Sequence, residues 1–220
     1  MMKVIGFIPR RTDLPRTAFR DYYETQHVLL ALHHIHSFTK YVRNHVVRGA
    51  PQEPGFDCLP EWWFDGPEVA VEIAAWVASP AGQVLHEDEA KFMDRPRMAS
   101  CPVSEQLLFG PARTVEPWVT RKLGVMLTRA SSATSPADFA AELAHFGKEL
   151  IRRNKGSITR VCLDVPLDPS QASLPLHALF TVWPVTPETR IDVPQRGTAL
   201  GSLTELTFDA IETPPVALQA

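Results

Sequence analysis

The stretch FRDYYETQHVLLALHHIHSFTKYVRNHV, Phe19–Val46, changes its period midway. In its first half Phe19, Tyr23, His27 and Leu30 recur at steps of four, four and three, one face of an α-helix, and that stripe also carries Tyr22 and Gln26. From Phe38 to Val47 β-branched and aromatic residues alternate with polar ones, which predicts a strand. The flanks must supply the rest of an α+β unit. Upstream, KVIGFIPR (Lys3–Arg10) reads as a strand ending at a proline, and TDLPRTAF offers Asp13 as a helix cap with Pro15 near the first turn. Downstream, the turn-rich GAPQEPGFDCLP leads to a second aromatic run, EWWF, and so to a hairpin. Asp65 or Gly66 can cap a helix opening at Pro67, Ser79 with Pro80 starts AGQVLHEDEAKFMD, and CPVSEQLLF (Cys101–Phe109) closes as a strand. The order β, α, β, β, α, β is the ferredoxin-like plan.

After the proline- and glycine-rich GPARTVEPW, Gly110–Trp118, the pattern restarts. KLGVMLTRA reads as a strand, SPADFAAELAHFGKELIRR as a helix capped by Ser135 with Pro136 in its first turn, then SITRVCLDV and LPLHALFTVWPV as strands. PETRIDVPQRG is too short and proline-broken for a long helix, while ALGSLTELTFDAIE supplies a final strand. The chain is therefore expected to hold two ferredoxin-like repeats, residues 1–110 and 119–213, the second eroded in its second helical region. Aligning Phe19 with Phe139 puts Gly147 at the position of His27 and Leu143 at that of Tyr23, so the second copy keeps apolar packing and loses polar groups. That asymmetry points to chemistry in the first repeat.

Composition fits a packed domain: of 220 residues 45% are hydrophobic and 21% charged, with a net charge of -3, which argues against both disorder and nucleic-acid binding. MMKVIGFIPRR reads as a strand rather than a signal peptide, and charged or proline residues break every apolar run short of a membrane span. Cys58, Cys101 and Cys162 form neither a disulfide framework nor a zinc pattern, so a cytoplasmic protein is expected. Nucleotide, hydrolase and metalloprotease motifs of the types GxGxxG, GxxxxGK[ST], GxSxG and HExxH do not occur.

His27, on the inward stripe, can take a proton at one ring nitrogen and donate from the other, or serve simply as a hydrogen-bonded core histidine. Asn44 and His45 are adjacent on a strand and face opposite ways, with Tyr41 and Arg43 on the side of His45. His33, His34 and His36 cluster where a helix ends and have no carboxylate nearby, so they read as partners of the last carbonyls rather than as metal ligands. Tyr22, Tyr23, Trp62, Trp63, Phe64, Trp76 and Phe92 supply aromatic surface for core or ligand. The run HEDEAKFMDR reads as a solvated helix face.

Four separated segments, F-x-x-Y-Y-x-x-x-H (Phe19–His27), YVRNHV (Tyr41–Val46), EWWFDGPE (Glu61–Glu68) and SPAGQ…EDEAKFMDRPR (Ser79–Arg97), together resemble the EthD family of dimeric α+β barrel proteins. The resemblance spans about residues 1–110. It implies that the sheets of the two repeats form one barrel, that the substrate is small and apolar or aromatic, that neither metal nor organic cofactor is needed, and that a homodimer is one expected assembly. It further implies a lyase (dehydratase) or a cyclase/isomerase acting on an aromatic, polyketide-like or other apolar carbonyl compound. His27 would be the base, Tyr23 with Asn44 or His45 would steady the enolate, and Tyr22, Tyr41, Trp63, Phe64, Trp76 and Phe92 would bind substrate. A cofactor-free monooxygenase and a non-catalytic carrier of a hydrophobic metabolite are the alternatives.

Overall fold

The computed structural model describes residues 1–50, 54–112, 115–116, 119–168 and 174–218. Residues 51–53 of the expected hairpin turn, and residues 113, 114, 117 and 118 of the stretch before the restart, lie outside the described residues. The protein is a mixed α+β fold whose eight described strands pair antiparallel where their registers are defined, with few helices. It divides into two compact units, Met1–His45 with Gly55–Pro102 and Ile211–Ala220, and Val46–Pro54 with Val103–Ala210.

In the first unit β1 (Met2–Phe7) is followed by α1 (Arg16–Tyr22), a π-helical turn (Tyr23–His27) and α2 (Val28–His34). Then come β2 (Lys40–Ala50), β3 (Cys58–Phe64), α3 (Pro67–Ala78), α4 (Gln83–Glu89) and the start of β4 (Ala99–Phe109). β3 lies between β1 and β2, with Trp62 opposite both Val4 and Tyr41. Pro15, not Asp13, occupies the N-cap of α1. Asp13 instead meets the Arg11 guanidinium at 2.7 Å, a forked pairing with an exposed neighbour two residues away. At Ser79 the cap forms as expected, the hydroxyl accepting from the Ala81 N–H at 3.2 Å.

The π-helical turn alters the predicted stripe. Phe19, Tyr23 and His27 are buried, but Val28 and Ala31 follow them inward, Leu30 is only half-buried and Gln26 is exposed. A π turn holds more residues per turn than an α turn, so every side chain after it is rotated from its α-helical bearing. The core of this unit gathers Phe19, Tyr23, Phe38, Tyr41, Phe64 and Phe92.

The second unit repeats the plan with β5 (Val119–Arg129), α5 (Pro136–Arg153), β6 (Ile158–Pro166), β7 (Ala178–Pro184) and β8 (Leu200–Glu212). Ser135 caps α5, its hydroxyl accepting from the Asp138 N–H at 3.0 Å, and β7 lies between β5 and β6. Phe139, Leu143, Phe146 and Leu150 form the buried face of α5 against Val161, Phe180 and Val182. No helix occurs among the described residues between Pro184 and Leu200, so the second helical region is absent. The Lys3 ammonium lies 5.0 Å from the Trp63 ring centroid, and the Lys122 ammonium lies 4.8 Å from that of Trp183.

Candidate functional site

The π-helical turn brings two carboxylate–histidine pairs together in the first unit. In the outer pair His27 Nδ1 lies 2.9 Å from Asp88 Oδ2. The Tyr22 hydroxyl donates to Asp88 Oδ1 at 2.6 Å, and the ammonium of Lys91 stands 3.4 Å from the same oxygen. Burial favours a neutral Asp88, but the hydrogen bonds from His27 and Tyr22 overcome it and hold the carboxyl at about 2. With Asp88 ionised, the neutral imidazole carries its proton on Nδ1 and leaves Nε2 as the basic nitrogen, for which no partner stands among the described residues. The side chains of His27 and Asp88 are 8% and 7% exposed, whereas that of Lys91 is 61% exposed. Burial pushes the neighbouring Glu89 carboxyl up, against the pull of Arg95 and His27. Adjacent carboxyls held on opposite sides of their ordinary range are a common basis for dividing acid from base roles.

The inner pair is Glu24 with His45, at 2.6 Å. The Arg43 guanidinium grips Glu24 at 2.7 and 3.2 Å and donates to the Thr213 hydroxyl at 2.5 Å. Despite burial, the bonds from His45 and Arg43 bring the Glu24 carboxyl down to about 2. Burial lowers His45 below the ordinary histidine range, although Glu24 pulls the other way. His45 is thus neutral at pH 7, its Nε2–H donating to Glu24, and its Nδ1 is buried without a partner. Tyr41 donates to the Tyr23 hydroxyl at 3.1 Å. Burial drives both phenols above their usual range, so both stay protonated.

Of the residues singled out from sequence, the fold brings His27, Tyr22, Tyr23, Tyr41, His45 and Phe92 together. The Phe92 ring lies 5.0 Å from His27, 5.2 Å from Tyr22 and 5.4 Å from Tyr23. Phe64 belongs to the same core but meets Phe38 rather than the histidines. Asn44 turns to the other sheet face, where it donates to Glu61 at 2.8 Å. Trp63 is there too, under Lys3, which pairs with Glu61 at 3.0 Å. Trp76 stacks on His34 at 5.5 Å, away from His27.

Sequence reasoning missed Asp88 and Glu24. HEDEAKFMDR is not a wholly solvated face, because Leu85, Asp88, Phe92 and Met93 are buried. The signal was present: Leu85, Asp88 and Phe92 follow helical steps of three and four, which puts the aspartate on the inward stripe. Among the described residues no group of three His, Cys, Asp or Glu is placed to hold a metal ion, and no helix is long and apolar enough to cross a membrane.

No curated protein matches the sequence. Among solved structures the fold is similar to that of an anthrone oxidase-like protein, with 8% identity, TM-score 0.65, and 96% of this chain and 92% of that one covered. It is similar also to a candidate monooxygenase of Lactobacillus acidophilus (13% identity, TM-score 0.51, 95% and 93% covered). Another candidate monooxygenase, of Fusobacterium nucleatum, shares 10% identity with TM-score 0.51 over 95% of this chain and 91% of that one. At these identities the likeness concerns the fold alone. The family comparison covers the segment that carries both carboxylate–histidine pairs: residues 11–96 match the EthD domain.

Proposed function

We propose that the protein is a small-molecule enzyme in which His27 removes a proton from a carbon beside a carbonyl group. The observation that carries this reading is the pairing of Asp88, on α4, with His27, at the end of the π-helical turn, at 2.9 Å. Asp88 fixes the tautomer that makes Nε2 the base and stabilises the imidazolium once the proton has arrived. Tyr22, bonded to Asp88, holds the carboxylate in place, and the buried ring of Phe92 packs against that of His27. Among known chemistries, loss of a β-hydroxyl as water from the resulting enolate fits a lyase, and internal attack by the enolate carbon fits a cyclase. Neither step requires a cofactor. His45 and Tyr23 act as positioning residues in this scheme, since both are closed to solvent and the Tyr23 ring stands edge-on to both His27 and His45.

A cofactor-free monooxygenase is the second reading, favoured by the description of two proteins of similar fold as monooxygenases. It shares the first step, because an electron-rich enolate or phenolate is also what reacts with dioxygen. The test is to offer aromatic β-hydroxyketones and reduced polycyclic phenols to the purified protein, following product mass and dioxygen uptake together. Loss of one water marks the lyase, and stoichiometric dioxygen consumption the oxygenase. His27→Ala should lower kcat by about 10² to 10⁴-fold for whichever substrate turns over. A variant with near-parental turnover would make His27 structural and overturn the proposal.

A further inference from the structure

A cavity of about 650 Å³ lies in the second unit between α5 and the strands beside it. Its walls include Leu108, Phe139, Leu143, Ile151, Leu163 and Val165. The size falls within the ordinary range for small-molecule sites. Its origin lies in the eroded repeat. In the first unit the ring of Phe92, a few residues beyond α4, sits 5.0 Å from His27 and fills the space over the helix. The second unit has no helix between Pro184 and Leu200, so the corresponding face of α5 is left open.

The charges around this cavity are one-sided. Arg129, Lys148 and His177 contribute to its lining, and no Asp or Glu is among the described residues that line it. Arg129 and His177 meet at one end, around Phe139. The guanidinium lies 5.9 Å from the Phe139 ring centroid, and the His177 ring stands edge-on to it at 6.3 Å. His177 Nδ1 is buried with no hydrogen-bond partner. Burial, reinforced by the charge of Arg129, depresses the imidazole.

We infer that this cavity binds a small amphipathic anion, a carboxylate on an apolar body, with its head group between Arg129 and His177 and its tail along Leu143 and Ile151. A carboxylate there gains a charge-assisted bond from the guanidinium and supplies the missing partner for His177. The apolar walls give an alkyl or aryl body a dry surface. The site is independent of His27 and of the proposed reaction.

Calorimetric titration of the full chain with decanoate and with decan-1-ol tests the inference, because the two differ in the head group. Decanoate should bind at one saturable site, with the alcohol at least about tenfold weaker, since a hydrogen bond to a charged group is worth roughly a ten- to hundredfold change in affinity. Arg129→Gln should weaken decanoate by that factor and leave the alcohol unchanged. Ala144→Trp should fill the cavity and abolish both, whereas His27→Ala should bind decanoate as the parent does. If Ala144→Trp does not fold, the comparison of head groups with Arg129→Gln still decides. Equal binding of acid and alcohol, no saturable decanoate site, or an undiminished Arg129→Gln variant would each overturn the inference.

Discussion

Glu24→Gln should be among the most costly single substitutions in the first unit. The side chains of Arg43 and His45 are 4% and 3% exposed, so the guanidinium depends on Glu24 for its compensating charge. Two routes give the size of the effect. Glu24 is held at about 2 rather than 4.5, and at about 1.4 kcal/mol per pKa unit that difference corresponds to roughly 3 kcal/mol. Removing one partner of a buried ion pair costs about 3–5 kcal/mol. For a chain of this size the loss corresponds to a fall in Tm of roughly 6–20 °C. The pH dependence follows from the direction of the shift. Between the folded and unfolded values the unfolded chain binds the extra proton, so stability rises with pH. The contribution of Glu24 is complete above about 4.5 and fades as pH falls toward 2. Calorimetric melting from pH 7 down to 2.5 would show the parent losing stability across that window and Glu24→Gln, already destabilised, losing less. The double variant Glu24→Leu/Arg43→Met, which removes both charges, should recover much of the loss. Parental Tm and an unchanged acid limb in Glu24→Gln would show that the cluster is not the source of this stability.

Asp88→Asn should lower kcat roughly 10²-fold or more while leaving KM nearly unchanged, because the amide no longer fixes the His27 tautomer; an equal loss in Asp88→Asn and Asp88→Glu would argue against that role. Gly147→Leu brings a Cβ to 3.0 Å from Leu108 Cδ1 and 3.1 Å from Phe180 Cε1, and overpacking of this kind should cost about 1–3 kcal/mol in a denaturant titration. An unchanged midpoint would mean that Leu108 swings aside. Cys58, Cys101 and Cys162 are at most 1% exposed, and burial drives the Cys58 thiol well up. A disulfide reagent should therefore modify them only as the chain unfolds, and rapid labelling of the native protein would contradict their burial.

Much of the local structure was legible because it depends on near neighbours. The period change within Phe19–Val46 gave helix and strand, the Ser135–Pro136 pair gave the start of α5, and the proline-broken stretch after β7 gave the missing helix. Strand alternation placed Tyr41 and Arg43 on the side of His45, but not which of the two faces is inward. What a pattern of apolar residues cannot express is a polar residue buried for its partner. Asp88 was hidden in a charged run, since its burial depends on His27, 61 residues away. Glu24 is inward only because Arg43 and His45 meet it across 19 and 21 residues.

The π-helical turn was equally beyond local reading, because YETQH suits an α-helix and the wider turn is seen only in the folded chain. The sequence by itself determined the order of elements and the inward place of His27, both set by short-range periodicity and turn chemistry. The tertiary structure alone decided which carboxylates meet the histidines and that a cavity opens over α5, because both depend on side chains brought together from distant parts of the chain and on the space that a missing helix leaves unfilled.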